Sequence, residues 1–282
     1  MKKILLLLIA FSAVKSFGQD KVYESFAGTR VINNHSTECI ERNNLEFIVA
    51  HKFGDLAGES GGISNFFGFD NLADVRLAFE YGILGNLDVG LGRSKGVGIR
   101  TQVVDGYVKY KILEQKTSKM PISMAFVSSI ALPYAKKAPD STSVTSYPRF
   151  INRFIFTNQL LITRKFGDRF TWQINLGYNH RNLVAFGDVN GLYFAGTSAR
   201  FRFTKTLAVL CEYSHVFNRP SSIPAQDPLS FGFEILTGGH TFSLHFSNAK
   251  AMNENLFIPL TTSNWLDGQF RFGFFFNRRF QL

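Results

Sequence analysis

The 282-residue sequence contains few of the residues that cross-link or kink a chain, with only two cysteines and eight prolines. Cys39 and Cys211 are too few for a disulfide framework, so we expect both thiols to be free. After residue 18, no apolar run approaches the about 20 residues that a membrane-spanning helix needs. These absences exclude a small disulfide-stapled domain and a helical membrane protein.

Charge and motifs argue against several classes of function. The formal net charge of +10 could indicate a nucleic-acid partner. The basic residues alternate with apolar ones and form no basic patch, so we expect no nucleic acid. The glycine-rich stretch 90–96 also alternates along a predicted strand and lacks the strand-to-helix turn of a phosphate loop. The histidines lack metal-ligand spacing. We therefore expect no metal and no cofactor.

Residues 1–18 have the pattern of a cleavable export signal. Lys2 and Lys3 precede an apolar run from Ile4 to Val14, and Ser16-Phe17-Gly18 suits a cleavage site. No cysteine follows that site, which argues against a lipid anchor. The sequence predicts a signal peptide at 1–18, a periplasmic N-terminal segment at 19–43 and an outer-membrane β-barrel at 44–282.

What the sequence does contain is a two-residue alternation rich in phenylalanine and glycine, with 31 and 24 residues respectively. Such alternation indicates β-strands with two different faces. It is clearest in the last stretch, where bulky apolar side chains alternate with small and polar ones. The predicted lipid-facing residues of this terminal strand are Phe270, Phe272, Phe274, Phe276, Phe280 and Leu282.

Short and long connections alternate between the predicted strands, as in outer-membrane barrels, whereas a soluble sandwich has no reason to alternate this way. The sequence predicts an all-β, antiparallel up-and-down transmembrane β-barrel of about 12 strands, within a range of about 10–14. Its short turns and both termini are expected in the periplasm, and its long loops outside the cell. The predicted strands are 44–53, 74–82, 86–94, 103–113, 121–132, 150–165, 169–180, 196–204, 206–217, 229–237, 240–248 and 268–281.

Assigning the apolar face of each strand to lipid places nearly every mid-strand charge in the lumen. An Arg or Lys on the lipid face would cost about 2–4 kcal/mol at the midplane, and a packed soluble core rarely holds unpaired charges. The set indicates either a charged pore lining or a salt-bridge network that fills a narrow barrel. The predicted lumen residues are Glu46, Lys52, Arg76, Glu80, Asp88, Asp105, Lys109, Lys111, Arg153, Arg200, Arg202, Glu212, Glu234, His245 and Arg271.

His245, Ser247 and Asn248 invite comparison with outer-membrane phospholipases, which use His, Ser and Asn on a twelve-strand barrel. A serine nucleophile needs a histidine within hydrogen-bond reach. Phe242, Leu244 and Phe246 take the lipid face here, so His245 and Ser247 should face the lumen. A lipase would need them on the membrane side. We therefore expect no catalytic residues and no enzyme.

Several ordered motifs together resemble a known family. They are Gly28–Asn33, Ala50–Asp55, Asn65–Asn71, Asp105–Lys111, Asn179–Asn182, Gly238–Asn248 and Arg271–Phe274. The set resembles a domain-of-unknown-function family of predicted outer-membrane barrels from Bacteroidota, over nearly the whole mature chain. The resemblance implies the barrel and the outer membrane, and it supplies no substrate or active site.

The charged inner face favours a porin-like channel, passive or selective, for small hydrophilic solutes, with a slight basic excess that would favour anions. The alternative is a closed barrel that acts as scaffold or partner of an envelope complex. An outer-membrane hydrolase and a secreted sandwich are more remote alternatives. Expected partners are outer-membrane lipid and, through the C-terminal strand, the barrel-assembly machinery of a Gram-negative bacterium.

Overall fold

A computed structural model describes residues 25–96, 102–117 and 119–282, so the predicted signal peptide lies outside the described residues. Each strand pairs antiparallel with its neighbours in sequence, and β1 pairs with β12, so the sheet closes on itself. The predicted twelve-strand barrel is confirmed. The strands are β1 (Asn44–Phe53), β2 (Leu72–Leu84), β3 (Leu87–Gly96), β4 (Gln102–Leu113), β5 (Ser123–Pro133), β6 (Ile155–Phe166), β7 (Phe170–Arg181), β8 (Gly191–Arg202), β9 (Leu207–Val216), β10 (Leu229–Thr237), β11 (His240–Ser247) and β12 (Arg271–Gln281).

The two faces of the wall follow the alternation in the sequence. In β12, Arg271, Gly273, Phe275 and Asn277 are buried toward the lumen. The aromatic residues between them lie on the outside, where they would meet lipid. Closing the barrel pairs Lys52 with Gly273 across the seam. A one-residue slip would move every charge of the strand to the other face, so this alternation also specifies the register.

The connections divide the barrel into two ends. The short-turn end carries the connections 85–86, 114–122, 167–169, 203–206 and 238–239 and the start of β1. The long-loop end carries the loops 54–71, 134–154, 182–190, 217–228 and 248–270. The location of the short-turn end in the periplasm stays a prediction.

The starts of two strands differ from the predicted ones by five residues. The predicted strand at 150–165 begins only at Ile155, because Phe150–Arg153 forms a 3₁₀ turn that is closed by a hydrogen bond from Phe154 to Ile151. The predicted strand at 196–204 begins already at Gly191, where the ladder with β7 pairs Gly191 with His180. A glycine after a loop signals a turn in sequence, but here the backbone pairing extends through it.

Two segments of the chain lie inside the barrel. We call residues 25–43 the N-terminal segment and its turn, residues 29–36, the N-terminal hairpin. The hairpin is closed by a hydrogen bond from Ser36 N to Thr29 O at 2.9 Å. We call residues 248–263 the loop insert. It contains the helix α1 (Glu254–Leu260) and enters from the long-loop end. Most of both segments is buried.

The structure contains no long apolar helix among the described residues, so none of its helices could cross a membrane. Cys39 and Cys211 are both free; Cys39 is half-buried in the N-terminal segment and Cys211 is exposed on the outer wall. No group of three or more His, Cys, Asp or Glu side chains in the described ranges is arranged to hold a metal ion.

Candidate functional site

The barrel interior holds most of the predicted lumen charges. Glu46, Lys52, Arg76, Glu80, Asp88, Asp105, Lys109, Arg200, Glu212, Glu234, His245 and Arg271 are all buried. Lys111 and Arg202 are only half-buried, near the short-turn end. Arg153 is not on a strand: it lies in the 3₁₀ turn before β6, where its Nη1 donates to the carbonyls of Pro133 and Ala135 at 2.9 and 2.8 Å. It therefore organises a loop at the long-loop end.

Some of these charges pair within the wall. Arg76 forms a two-armed pair with Asp105, and its Nη2 donates to Oδ2 at 2.6 Å. Arg200 pairs with Glu234 at 2.6 Å. Gly92 lies beside Arg76, and a Cβ at this glycine would come within 2.3 Å of the guanidinium. The glycine therefore provides the space that the ion pair needs.

Glu212, in the middle of β9, holds the tip of the N-terminal hairpin. Its carboxylate accepts hydrogen bonds from the backbone N–H groups of Ile32, Asn33 and Asn34 at 2.9–3.3 Å. The Asn33 side chain adds another, from Nδ2 at 2.5 Å. Successive backbone N–H groups that converge on one carboxylate make a strong charge-assisted contact. The wall thus supplies a carboxylate that accepts the N–H groups at the tip of the hairpin.

Lys109 and Asp88 bind backbone groups of the N-terminal segment near the short-turn end. Lys109 Nζ donates to the backbone carbonyls of Thr29 and Glu38 at 3.2 and 2.7 Å. The Asp88 carboxylate accepts from the backbone N–H of Ile40 at 3.1 Å. The chain then passes against Gly82, where a Cβ would come within 2.3 Å of the Glu41 carbonyl. The N-terminal segment was predicted at the periplasmic side. Its described residues lie inside the barrel, enclosed by the strands.

The loop insert is held by apolar packing as well as by polar contacts. Leu256 packs among Val103, Ala131 and Ile155. Phe257 and Ile258 pack in a second buried cluster that contains Leu192 and Phe194 of β8.

Asn255 supplies the polar anchor of the loop insert. Its Nδ2 donates to the Ser129 hydroxyl at 3.1 Å and its Oδ1 accepts from the Thr157 hydroxyl at 2.7 Å. A helix that buries three large apolar side chains and hydrogen-bonds its buried Asn is a packed part of the fold.

The two inserted segments meet near the centre of the lumen. Arg30 of the hairpin donates to Glu254 of α1 at 3.1 Å, and His35 Nε2 lies 3.1 Å from the other oxygen of the same carboxylate. Arg30 also lies 3.8 Å from Glu80. Lys52 Nζ donates to Asn33 of the hairpin and to the carbonyls of Ala249 and Ala251 of the loop insert, at 2.7, 3.1 and 3.0 Å. Each segment therefore holds the other.

Little space remains between the segments. A cavity of about 20 Å³ lies between Arg30, Asn33, Arg76, His245, Met252 and neighbouring apolar side chains. This volume is room for about one water molecule. The ring nitrogens of His245 have no hydrogen-bond partner among the described residues, and Ser247 instead accepts from Ser230 at 2.8 Å. The pair that a serine hydrolase requires is not formed.

Sequence reasoning missed the residues at the centre of this arrangement. Arg30, Asn33, Glu254 and Asn255 lie in stretches without a two-residue period, so a search for strand faces passes over them. One signal was present: the predicted lumen set contains both signs of charge, which is typical of a network that is satisfied internally. That signal could not indicate which unpatterned residues complete the network.

Comparisons with known proteins agree with this architecture. Residues 26–280 match a family described as "Membrane bound beta barrel domain (DUF5777)". No curated protein matches the sequence significantly.

Two solved porins and one solved outer membrane channel align with this chain at low sequence identity. The KdgM porin, solved "in complex with disordered oligogalacturonate", aligns with a TM-score of 0.50 and 7% identity over 84% of this chain and 99% of its own. The NanC porin aligns with a TM-score of 0.49 and 7% identity over 84% and 100%. The COG4313 outer membrane channel from Pseudomonas putida F1 aligns with a TM-score of 0.45 and 10% identity over 86% and 98%.

Proposed function

Because the chain belongs to the DUF5777 family of membrane-bound β-barrel domains, we propose that it is an outer-membrane channel that its own chain closes at rest. The N-terminal hairpin is the removable part, and small hydrophilic solutes pass when it leaves the lumen. The observation that carries this proposal is the Glu212 contact, in which the wall binds the hairpin tip through three backbone N–H groups and the side-chain amide of Asn33.

Polar contacts of this kind suit a displaceable plug. When the hairpin withdraws, water can replace its hydrogen bonds to Glu212 and Lys109, so the net cost of these contacts is small compared with their number. A plug held by apolar packing would lose about 25 cal/mol for each Å² that it exposes. The N-terminal segment contributes Phe26, Val31 and Ile32 to a small apolar cluster with Leu210 of the wall.

The solute class follows from the lining that the hairpin leaves behind. Lys52 and Lys109 donate to hairpin atoms in the closed state, and both would face water in the open one. Glu212 and Glu80 would be uncovered as well, so the pore would carry both signs of charge. The basic excess of the predicted lining is lost in the structure, because Arg153 lies in a turn and Lys111 and Arg202 lie near the short-turn end. We propose small hydrophilic solutes without a strong preference for either sign of charge. Nothing in this mechanism needs a catalytic group.

A second candidate is a permanently closed barrel that serves as scaffold in an envelope complex. It is favoured by the apolar seat of α1, because Leu256 and Phe257 fill the lumen from the long-loop end as a core would. In this function the long loops would contact the partner. The outer-membrane location, the export signal and insertion through the terminal strand belong to both candidates.

Single-channel recording in planar bilayers tests the proposal. The wild-type protein should be closed nearly all the time. Glu212→Gln should open frequent conducting states, because the Gln amide group would face the N–H donors of the hairpin tip. The matched control is Glu234→Gln, which changes a similarly buried carboxylate that pairs with Arg200 of the wall.

Two outcomes would contradict the proposal. A steady current through the wild-type protein would show that the hairpin does not close the lumen. Silence of folded Glu212→Gln protein, as complete as that of wild type, would favour the scaffold. Folding is checked for each variant by the heat-dependent mobility shift that closed barrels show on gels.

A further inference from the structure

The contact between the hairpin and the loop insert joins elements that enter the barrel from opposite ends. Arg30 and His35 reach Glu254 from the short-turn end, and Glu254 reaches them from the long-loop end at 3.1 Å in both cases. All three side chains are at least nine-tenths buried. The separation along the chain between Arg30 and Glu254 is 224 residues. This contact therefore joins two segments that are far apart in the sequence and that enter the barrel from opposite ends.

Burial makes the contact obligatory for both partners. A buried charge is tolerated when it is paired, and removal of one partner leaves the other uncompensated in a dry site. If α1 moved outward alone, Glu80 at 3.8 Å would be the remaining ion-pair partner of Arg30 among the described residues. If the hairpin withdrew alone, Glu254 would lose Arg30 and His35 together. Neither segment can leave cheaply by itself.

Lys52 adds a second link between the same two segments. It donates at once to Asn33 of the hairpin and to two carbonyls of the loop insert. These three acceptors are uncharged, and Lys52 makes all three hydrogen bonds only while both segments are in place. The Glu254 contacts and the Lys52 contacts are thus two independent links between the segments. They favour states in which both segments lie inside the barrel or both are displaced.

We propose that the loop insert and the N-terminal hairpin form one coupled gate, with Glu254 as the latch, so that displacement of the insert at the long-loop end releases the hairpin at the short-turn end. This inference rests on the proposed function, because it describes how that gate is controlled. It makes the loop insert a sensor of events on one side of the membrane and the N-terminal segment the responding element on the other.

The rate at which a thiol placed directly after the hairpin is labelled tests the coupling without using conductance. Thr37→Cys is a suitable reporter, because Thr37 is buried and its hydroxyl has no hydrogen-bond partner among the described residues. The native thiols are removed by Cys39→Ser and Cys211→Ser. In this full-length background, a hydrophilic, membrane-impermeant maleimide should label Cys at position 37 slowly.

Glu254→Gln should raise the labelling rate of this reporter about tenfold or more, since a hydrogen bond to a charged group is lost from the closed state. The matched control Glu234→Gln changes a buried carboxylate of the wall and should label at the parent rate. If Glu254→Gln labels no faster than Glu234→Gln, the coupling is refuted.

The reverse experiment keeps the proposal testable if Glu254→Gln fails to fold. Coupling is reciprocal, so Arg30→Gln in the hairpin should raise the labelling of Ser263→Cys, a buried position in the loop insert, also by about tenfold. Unchanged labelling of this folded variant would overturn the proposal from the other side. Arg30→Gln and Glu254→Gln should also be non-additive when combined.

These readouts separate the coupling from the channel function. Conduction by Glu212→Gln with no labelling response to Glu254→Gln would overturn the coupling and leave the channel intact. A labelling response in a barrel that stays silent with Glu212→Gln would support the coupling and overturn the channel.

Discussion

The two segments inside the barrel are held by different physics. The N-terminal segment, including its hairpin, is bound mainly through hydrogen bonds and ion pairs to Glu212, Lys109, Asp88 and Glu80. The loop insert buries Leu256, Phe257 and Ile258 in apolar clusters of the wall and adds a few polar contacts. Water can compete for the first kind of contact and cannot replace the second. In the proposed function, the hairpin is therefore the segment that moves, and the loop insert is held more firmly.

The largest effect should come from emptying the apolar seat of the insert. Phe257→Ala removes a fully buried ring, and we expect a loss of about 3–5 kcal/mol in the free energy of unfolding. The measurement is the urea midpoint of the refolded barrel. Phe186→Ala is the matched control, because Phe186 is fully exposed in the loop 182–190 and the same atoms are removed. Equal urea midpoints for the two variants would show that the apolar packing of the loop insert does not stabilise the barrel.

A smaller effect should come from the link between the two segments. Lys52→Met and Asn33→Ala each remove the 2.7 Å hydrogen bond from Lys52 to Asn33, and each should cost about 1–3 kcal/mol. The costs should be less than additive in the double variant, because both remove the same bond. Lys52→Met combined with Asn65→Ala, in the loop 54–71, is the additive control. Full additivity of the first pair would show that this hydrogen bond does not couple Lys52 to the hairpin.

The smallest effect concerns the rim of the long-loop end, away from both segments. Asp188 accepts hydrogen bonds from the backbone and hydroxyl groups of Ser221 and Ser222, which ties the loop 182–190 to the loop 217–228. Slight burial would raise the pKa of Asp188, but these hydrogen bonds outweigh it and lower the pKa below its ordinary value. The tie is therefore complete above the ordinary pKa of about 3.9 and is lost as the pH falls through the lowered one.

Hydrogen exchange at residues 219–224 measures this tie. After correction for intrinsic rates, protection should decrease between about pH 5 and pH 3 in the wild-type protein. In Asp188→Asn it should be low at both values, because the charge is absent. Protection of the hairpin should not follow this change. If acid loosens the rim and the hairpin together, the two regions are not distinct in the way the contacts indicate.

The wall could be predicted from the sequence in considerable detail. Phe272 and Phe274 lie outside and Arg271 lies inside because alternation along a strand is a property of neighbouring residues alone. Where prediction was wrong, the local signal was ambiguous. Arg153 follows aromatic residues that fit a strand period, but the backbone turns there to form the 3₁₀ turn that holds the preceding loop.

The contents of the lumen could not be predicted in the same way. Arg30 and Glu254 have no periodic neighbours, and their significance arises only when two distant, unpatterned stretches enter the same space. The His245 and Ser247 pair shows the same limit. Both face the lumen, but only the structure shows that Ser247 is bonded to Ser230 and that the His245 ring has no partner among the described residues.

The sequence by itself determined a closed antiparallel wall, with apolar side chains outside and charged ones inside, because the two-residue period encodes faces and the lengths of the connections encode topology. Only the tertiary structure decided that the interior is filled. An open pore and a plugged one need the same alternation in their strands. The difference lies in long-range partners, such as Glu212 for the hairpin and Phe194 for the loop insert, and these meet only after the barrel has closed around them.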